Sequence, residues 1–141
     1  MSNRSVLETW IRRVWCEADS ACIDEMLAPD GAVQGLGAHP LVGPAEFHGF
    51  ADAIFALLHD FQIDIDRATE EGDWVHVLVT LRAKARSDGR DVVFPGQLLV
   101  RIADEKLAEA YNSVDFIAMF EQLGLLPENT FARCLSGQRV G

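Results

Sequence analysis

The sequence has no cluster of lysine or arginine residues. Its 12 basic residues are scattered along the chain and outnumbered by 22 acidic residues, which gives a formal net charge of −10. A protein that binds nucleic acid needs a basic surface to neutralise phosphates, and anionic membranes attract basic segments in the same way. We therefore expect neither nucleic acid nor a membrane as a partner of this chain.

Long apolar runs are also missing. Residues 1–10 lack the charged start and the continuous apolar stretch of a signal peptide. No later run approaches the ~18 apolar residues that a membrane-spanning helix requires. The sequence therefore predicts a cytoplasmic protein.

Cysteine is scarce, and its spacing does not match a metal site. Cys16, Cys22 and Cys134 are odd in number, and no CxxC or HExxH pattern occurs. The four histidines are scattered, so no Ser/His/Asp or Cys/His order can be defended. We expect reduced structural thiols and no bound metal ion.

The helical part of the sequence comes first. A length of 141 residues with 49% apolar content suits a single domain with one continuous core. Ser5 and Glu8 have capping-box spacing before a first helix of about four turns, and a short second helix is expected to end at the turn residues 29–31. A short strand is predicted over residues 32–37, and Gly43-Pro44 opens a third helix.

From residue 61 the apolar period changes from helical spacing to two. Alternating residues predict strands near 61–66, 75–85, 92–102 and 107–114, with a bend at Pro95-Gly96 and a final helix from Asp115 to Gly124. Helices followed by an antiparallel meander indicate an α+β fold, with helices packed on one face of a curved sheet. Residues 127–141 form a C-terminal extension for which the pattern predicts no element.

Three segments resemble a known family. They are Leu41-Val42-Gly43-Pro44 before an aromatic helix, Glu71-Gly72-Asp73-Trp74-Val75 at the start of the long strand, and residues 107–115 running into Gln122-Leu123-Gly124. The last segment is similar to the I-x-E-x-W-N-x-x-D motif of SnoaL-like proteins in the NTF2-like superfamily, with Tyr111 where tryptophan is usual. The resemblance covers roughly residues 5–126.

The resemblance implies a cone of curved, mostly antiparallel sheet, with helices on its concave face around an apolar pocket. It also implies pairing of two copies through the sheet, since family members usually form dimers. Some members are polyketide cyclases that use an acidic residue and neither metal nor organic cofactor, so we expect no cofactor here. Two functions stay open: a cofactor-free cyclase, isomerase or lyase acting on a small apolar oxygenated molecule, or a non-catalytic ligand-binding or dimerisation module.

Asp115 is the catalytic candidate that the resemblance implies. The matching aspartate of the family motif borders the pocket, and a carboxyl group in an apolar cavity has a raised pKa that suits proton transfer. The same residue directly precedes Phe116-Ile117, where it is also an ideal helix N-cap. Both roles remain open at this stage.

The candidate ligand-binding residues are Tyr111, Asn112, His48, Trp15 and Phe50. Strand alternation lets only one of Tyr111 and Asn112 point straight into a cavity, and either could hydrogen-bond a ligand carbonyl group. The helical aromatic residues are at core spacing. His48 lies on a helix that could send a polar side chain into the mouth of the cone.

Two rival chemistries are weaker. The epoxide hydrolases of the same superfamily use an Arg-x-Asp pair on a central strand, but this sequence has Arg82-Ala83-Lys84 there, and lysine cannot act as a second carboxylate. Steroid-isomerase chemistry needs a carboxylate base and acidic donors, for which Tyr111 and Asp115 are the available residues.

The outward face of the long strand, which includes Trp74 and Leu78, predicts a homodimer.

Overall fold

Helices occupy both ends of the chain and the region before the long strands. The computed structural model describes all 141 residues. Its helices are α1 (Asn3–Ile11), α2 (Ala21–Met26), α3 (Gly43–Leu57), α4 (Phe116–Gln122) and α5 (Thr130–Leu135). Pro44 lies in the first turn of α3, as its fixed φ angle favours. Helix α5 lies in the C-terminal extension, where the sequence pattern had predicted no element.

The first helix differs from its prediction in two ways. Its cap is Ser2, whose hydroxyl oxygen accepts a 3.1 Å hydrogen bond from the Ser5 N–H. The expected four continuous α-turns end at Ile11, and Arg12–Cys16 forms a π-helical turn instead. The apolar stripe nevertheless stays buried across this change, because Val6, Trp10 and Val14 all face the core.

Six strands form one sheet with the order β2-β1-β6-β5-β4-β3. They are β1 (Leu27–Gln34), β2 (Leu41–Val42), β3 (Leu58–Glu71), β4 (Trp74–Ala85), β5 (Asp91–Ala103) and β6 (Lys106–Val114). The last four form the predicted antiparallel meander. The sheet has one more strand than the pattern predicted, the short β2, and β1 begins five residues before the strand expected at residues 32–37. Strand β1 pairs in parallel with β6 and antiparallel with β2.

The first strand corrects the predicted position of a turn. Residues 29–31 were expected to end a helix, but they lie inside β1, where the pairing with β6 is irregular between Leu27 and Ala32. Proline has no N–H for a sheet ladder, so the interruption falls at Pro29. The strand then ends at Gln34, because Gly35 has a φ of +87° and a Cβ there would lie 1.8 Å from the Asn112 carbonyl oxygen.

The core lies between the concave face of the sheet and the helices. In β4 the buried residues alternate along the strand as predicted, and Val75, Val77 and Val79 pack against the apolar stripe of α1. The predicted α+β architecture, a curved and mostly antiparallel sheet with helices on its concave face, is confirmed. None of the helices has the length and apolar character required to cross a membrane.

Candidate functional site

A small cavity lies between the concave sheet face and the helices. Its volume is about 70 Å³, and 20 of its 21 lining residues are hydrophobic. Strands β4, β5 and β6 supply one wall through inward-facing residues such as Val79, Leu98 and Ala110. The wall carries no titratable side chain. Its hydrogen-bonding groups are the amide of Asn112 and the indole N–H donors of Trp10 and Trp15.

The helical wall is aromatic. Trp15 lies in the π-helical turn, a feature that re-aims side chains within a helix and is frequent at functional sites. Its ring centroid is 6.1 Å from Phe47, 6.2 Å from Phe50 and 5.7 Å from Phe61, in edge-to-face or tilted geometry. These contacts fix the ring positions, so the wall is a packed set of aromatic edges and faces.

Helix α4 closes the other end of the cavity with Phe116 and Met119. Both ends of this helix are tied to β5. The Asp115 N–H donates to the Pro95 carbonyl oxygen at 3.1 Å, and the Gln122 side-chain amide pairs with Val93, donating at 2.8 Å and accepting at 2.9 Å. Phe116 also meets Phe50 of α3 edge to face, with ring centroids 6.3 Å apart.

The orientation of the Asn112 side chain is fixed by a neighbouring strand. Its Nδ2 donates a 3.0 Å hydrogen bond to the backbone carbonyl oxygen of Gln34, which can only accept. No protein group donates to Asn112 Oδ1, and no buried side-chain nitrogen or oxygen in the structure lacks a partner. Oδ1 is therefore accessible to a molecule of the size of water.

Comparison with known proteins identifies the family to which this architecture belongs. Residues 7–110 match the SnoaL-like domain, which is more than half of the chain. The chain belongs to the SnoaL-like family. A search among curated proteins found no match.

Solved structures with the same fold carry several different names. A candidate SnoaL-like polyketide cyclase from Jannaschia sp. CCS1 is 19% identical, with a TM-score of 0.77 over 89% of this chain and 93% of that one. AclR, a candidate hydroxylase from Streptomyces galilaeus, is 17% identical, with a TM-score of 0.77 over 96% and 88%. An NTF2-like protein of unknown function from Burkholderia pseudomallei is 20% identical, with a TM-score of 0.74 over 87% and 98%. At these identities the likeness establishes the fold alone.

In this SnoaL-like chain, three of the predicted site residues come together. Trp15, Phe50 and Asn112 all line the cavity, the first two from the helices and the third from β6. Asp115, Tyr111 and His48 lie outside it. The cavity therefore gathers the expected apolar residues and one expected amide, without the expected carboxylate.

Tyr111 lies on the opposite face of β6 from Asn112, as strand alternation requires. Its side chain is exposed, and its hydroxyl donates to Glu109 at 2.7 Å, while Arg101 donates to the same carboxylate at 2.8 Å. The hydrogen bonds from Arg101 and Tyr111 lower the pKa of Glu109, and the bond to Glu109 raises the pKa of Tyr111. Tyr111 thus belongs to a polar network on the convex face.

His48 also points away from the cavity. It lies on α3, and its Nε2 is 3.1 Å from both carboxylate oxygens of Asp24 on α2. The pair joins two helices at the surface, so His48 does not enter the mouth of the cone as expected.

Asp115 lies between two residues that line the cavity, Val114 and Phe116, but its own side chain turns outward. It is exposed and caps α4, with Oδ1 accepting a 3.0 Å hydrogen bond from the Ala118 N–H. The carboxylate borders a shallow depression on the outer surface together with Asp66 and Glu121. Its predicted capping geometry is present, and its catalytic role stays a prediction.

Several lining residues were not named as site candidates. Phe61 and Phe94 lie at inward positions of β3 and β5, and the alternation of these strands was a signal that could have placed them. Leu36, in the loop after β1, carried no such signal. The Gln34 carbonyl oxygen that orients Asn112 is a backbone atom 78 residues away in sequence, which no local pattern could indicate.

A second, polar groove lies where β3 and β5 begin and β4 ends. Cys16 borders it together with Lys84 and Asp91, which form an ion pair. Burial raises the pKa of the Cys16 thiol, so the groove does not activate this sulfur as a nucleophile. No group of three His, Cys, Asp or Glu side chains is close enough to hold a metal ion.

Proposed function

We propose that this SnoaL-like protein binds one small apolar oxygenated molecule in the cavity between sheet and helices, and that it acts there as a binding protein. The observation that carries this proposal is the composition of the wall, with hydrophobic side chains everywhere except at Asn112. Ligand sites are typically apolar cavities with a few polar groups that set the orientation of the ligand.

The absence of an acid or base from the cavity wall favours binding over catalysis. A cyclase or isomerase of this family type would need a titratable group within hydrogen-bond reach of the reacting carbon or oxygen. The amide of Asn112 does not ionise near neutral pH and so cannot act as a general acid or base, and the carboxylate of Asp115 faces the outer depression. The polyketide chemistry in the names of the similar structures is therefore not the function that we propose here.

The cavity volume favours a compact ligand, and it requires side chains of the wall to move when a ligand binds. A dry apolar cavity of about 150 Å³ accommodates benzene, whereas this cavity measures about 70 Å³. An occupant with a ring must displace at least one wall side chain. Phe50 and Phe116 are half-buried and meet between α3 and α4, so their separation offers a route of entry.

Tryptophan fluorescence can test this proposal directly. Trp10 and Trp15 line the cavity and Trp74 lies on the opposite sheet face, so Trp74→Phe leaves only reporters that belong to the cavity. We expect toluene and phenol to change the emission of this variant saturably and to raise its melting temperature by linkage. A flat titration for both compounds would contradict the proposal.

A matched pair of alanine variants locates the binding. Ala110 is buried and lines the cavity, whereas Ala103 is exposed at the end of β5. Ala110→Leu should fill the cavity and abolish the response, and Ala103→Leu should bind like the parent protein. Equal binding by both variants would place the ligand elsewhere.

A second proposal concerns the convex face of the sheet. We propose that two copies pair through it, because exposed apolar side chains cluster there around Leu99 and Tyr111, with Tyr111 packed 6.3 Å from Trp74. Contiguous apolar surface of this kind favours association, and a self-complementary patch gives a twofold dimer.

A further inference from the structure

We infer that the cavity selects a ligand that donates a hydrogen bond: a neutral aromatic alcohol of the phenol class. This inference rests on the proposed function, since it concerns the occupant of the same cavity. It differs from the expectation that the polar group of the site donates to a ligand carbonyl group, because Asn112 Oδ1 is the only nitrogen or oxygen acceptor among the side chains of the wall. The feature that decides the direction is the fixed orientation of Asn112.

The bond between Asn112 and Gln34 uses one of the two N–H groups of the amide and fixes which end of the amide carries the oxygen. Because the Gln34 carbonyl oxygen can only accept, Nδ2 must lie on its side, at 3.0 Å. The acceptor end, Oδ1, is then the amide atom without a protein partner, and it remains accessible. A ligand hydroxyl group satisfies this oxygen, whereas a ligand ketone or ether would bring a second acceptor against it.

The rest of the wall specifies charge and shape. No cation or anion lines the cavity, so a charged ligand would lose its hydration without gaining a partner. Aromatic side chains surround the space, and edge-to-face contacts favour an aromatic ring over an aliphatic chain of equal size. The aromatic lining residues are Trp10, Trp15, Phe47, Phe50, Phe61, Phe94 and Phe116.

Calorimetric titration with four probes tests the inference: phenol, anisole, toluene and benzoate. Anisole keeps the ring and the oxygen but cannot donate, toluene has no oxygen, and benzoate is charged. Each probe is titrated into the parent protein and into Asn112→Leu. One net hydrogen bond corresponds to about a fivefold change in affinity, so Asn112→Leu should weaken phenol about fivefold and leave toluene and anisole unchanged.

Each result decides between specific statements. An equal loss of anisole and phenol affinity in Asn112→Leu would mean that Asn112 donates, and tight benzoate binding would mean that the site accepts charge; either overturns the inference. If toluene binds but Asn112→Leu leaves phenol affinity unchanged, this inference fails while the proposed function stands. If no probe binds, the proposed function fails.

A measurement on the parent protein covers the case in which Asn112→Leu does not fold, since that variant also removes the bond to Gln34. With ¹³C-labelled asparagine, the Asn112 side-chain carbonyl carbon reports on whether Oδ1 accepts a hydrogen bond. We expect phenol to move this resonance downfield and anisole to leave it near its ligand-free position. Identical shifts with both ligands would overturn the inference without any variant.

Discussion

The two faces of the sheet differ in how much apolar surface they leave without a packing partner. On the concave face of β4, Val75 and Val77 are fully buried, whereas their neighbours Trp74 and His76 on the convex face stay half-buried. The inner face finds its partners within the chain, in α1 and the other helices. The outer face keeps apolar surface with no partner in the same chain. The inner face therefore stabilises the fold, and the outer face is available for association.

Polar chemistry follows the same division. The convex face carries hydrogen-bonded pairs such as His76 with Gln97 and Thr80 with Asp66, in addition to the network around Glu109. The concave face has one amide, Asn112, in an otherwise apolar cavity. An acid or base that acted in this protein would act from the outer surface, whereas an apolar ligand would bind on the inside.

The largest expected effect is on the free energy of unfolding, and it is tested by truncating one leucine on each face of the sheet. Leu107 is 2% exposed and lines the cavity, while Leu99 is 38% exposed on the convex face. Leu107→Ala should lower the free energy of unfolding by about 2 to 5 kcal/mol, because it removes buried methyl groups and enlarges a cavity. Leu99→Ala should change it by less than about 0.5 kcal/mol.

Urea unfolding at low protein concentration measures both variants under conditions in which association contributes little. The test is the difference in stability between Leu107→Ala and Leu99→Ala. Equal losses of stability would mean that the convex leucine is as well packed as the concave one, and the division between the faces would then be wrong.

The next effect concerns association through the convex face. Leu99→Glu places a carboxylate in the patch next to Tyr111 and, by the twofold symmetry of the proposed dimer, places a second one opposite. Unpaired charge buried in an interface costs a few kcal/mol, so the dissociation constant should rise by at least about 30-fold.

Light scattering at micromolar concentration checks this expectation. The parent protein should have about twice the monomer mass of 15.6 kDa, and Leu99→Glu should have the monomer mass. Ala103→Glu, at the exposed end of the same strand, is the matched control and should remain dimeric. A monomeric parent protein, or a dimeric Leu99→Glu, would contradict pairing through this face.

The sequence predicted the part of the fold that depends on local periodicity. Strand β4 alternates cleanly because one face packs on helices and the other does not, and the pattern of its side chains records this directly. No pattern in the sequence indicates the parallel pairing of β1 with β6. Pro29 and Gly31 have the local pattern of a turn. In the structure a Cβ at Gly31 would lie 3.0 Å from the Leu107 carbonyl oxygen of β6, a long-range approach that the local pattern does not indicate.

The candidate site was predictable to the same extent. Helical spacing predicted that Trp15 and Phe50 face inward, and the structure places both on the cavity wall. Alternation left open whether Tyr111 or Asn112 faces inward, and the structure shows that it is Asn112. The direction of Asp115 could not follow from alternation, because the residue lies where β6 ends and α4 begins. There the cap geometry decides, and the carboxylate turns toward the Ala118 N–H instead of the cavity.

The smallest expected effect separates the two roles of Asp115. As an N-cap, it accepts one backbone hydrogen bond at the start of α4. Asp115→Ala should cost about 1 kcal/mol of stability, whereas Asp115→Asn should cost little, because asparagine caps helices about as well as aspartate.

The two variants together also test the catalytic prediction. If the carboxylate transfers a proton, Asp115→Asn should abolish turnover of an identified substrate while ligand affinity and stability stay near their parent values. If Asp115 is only a cap, Asp115→Asn keeps any activity in full. Because the side chain lies outside the cavity, we expect phenol affinity to be unchanged in Asp115→Asn. A marked loss of affinity would place the carboxylate beside the ligand, and the separation of the two faces would then fail at the point where β6 meets α4.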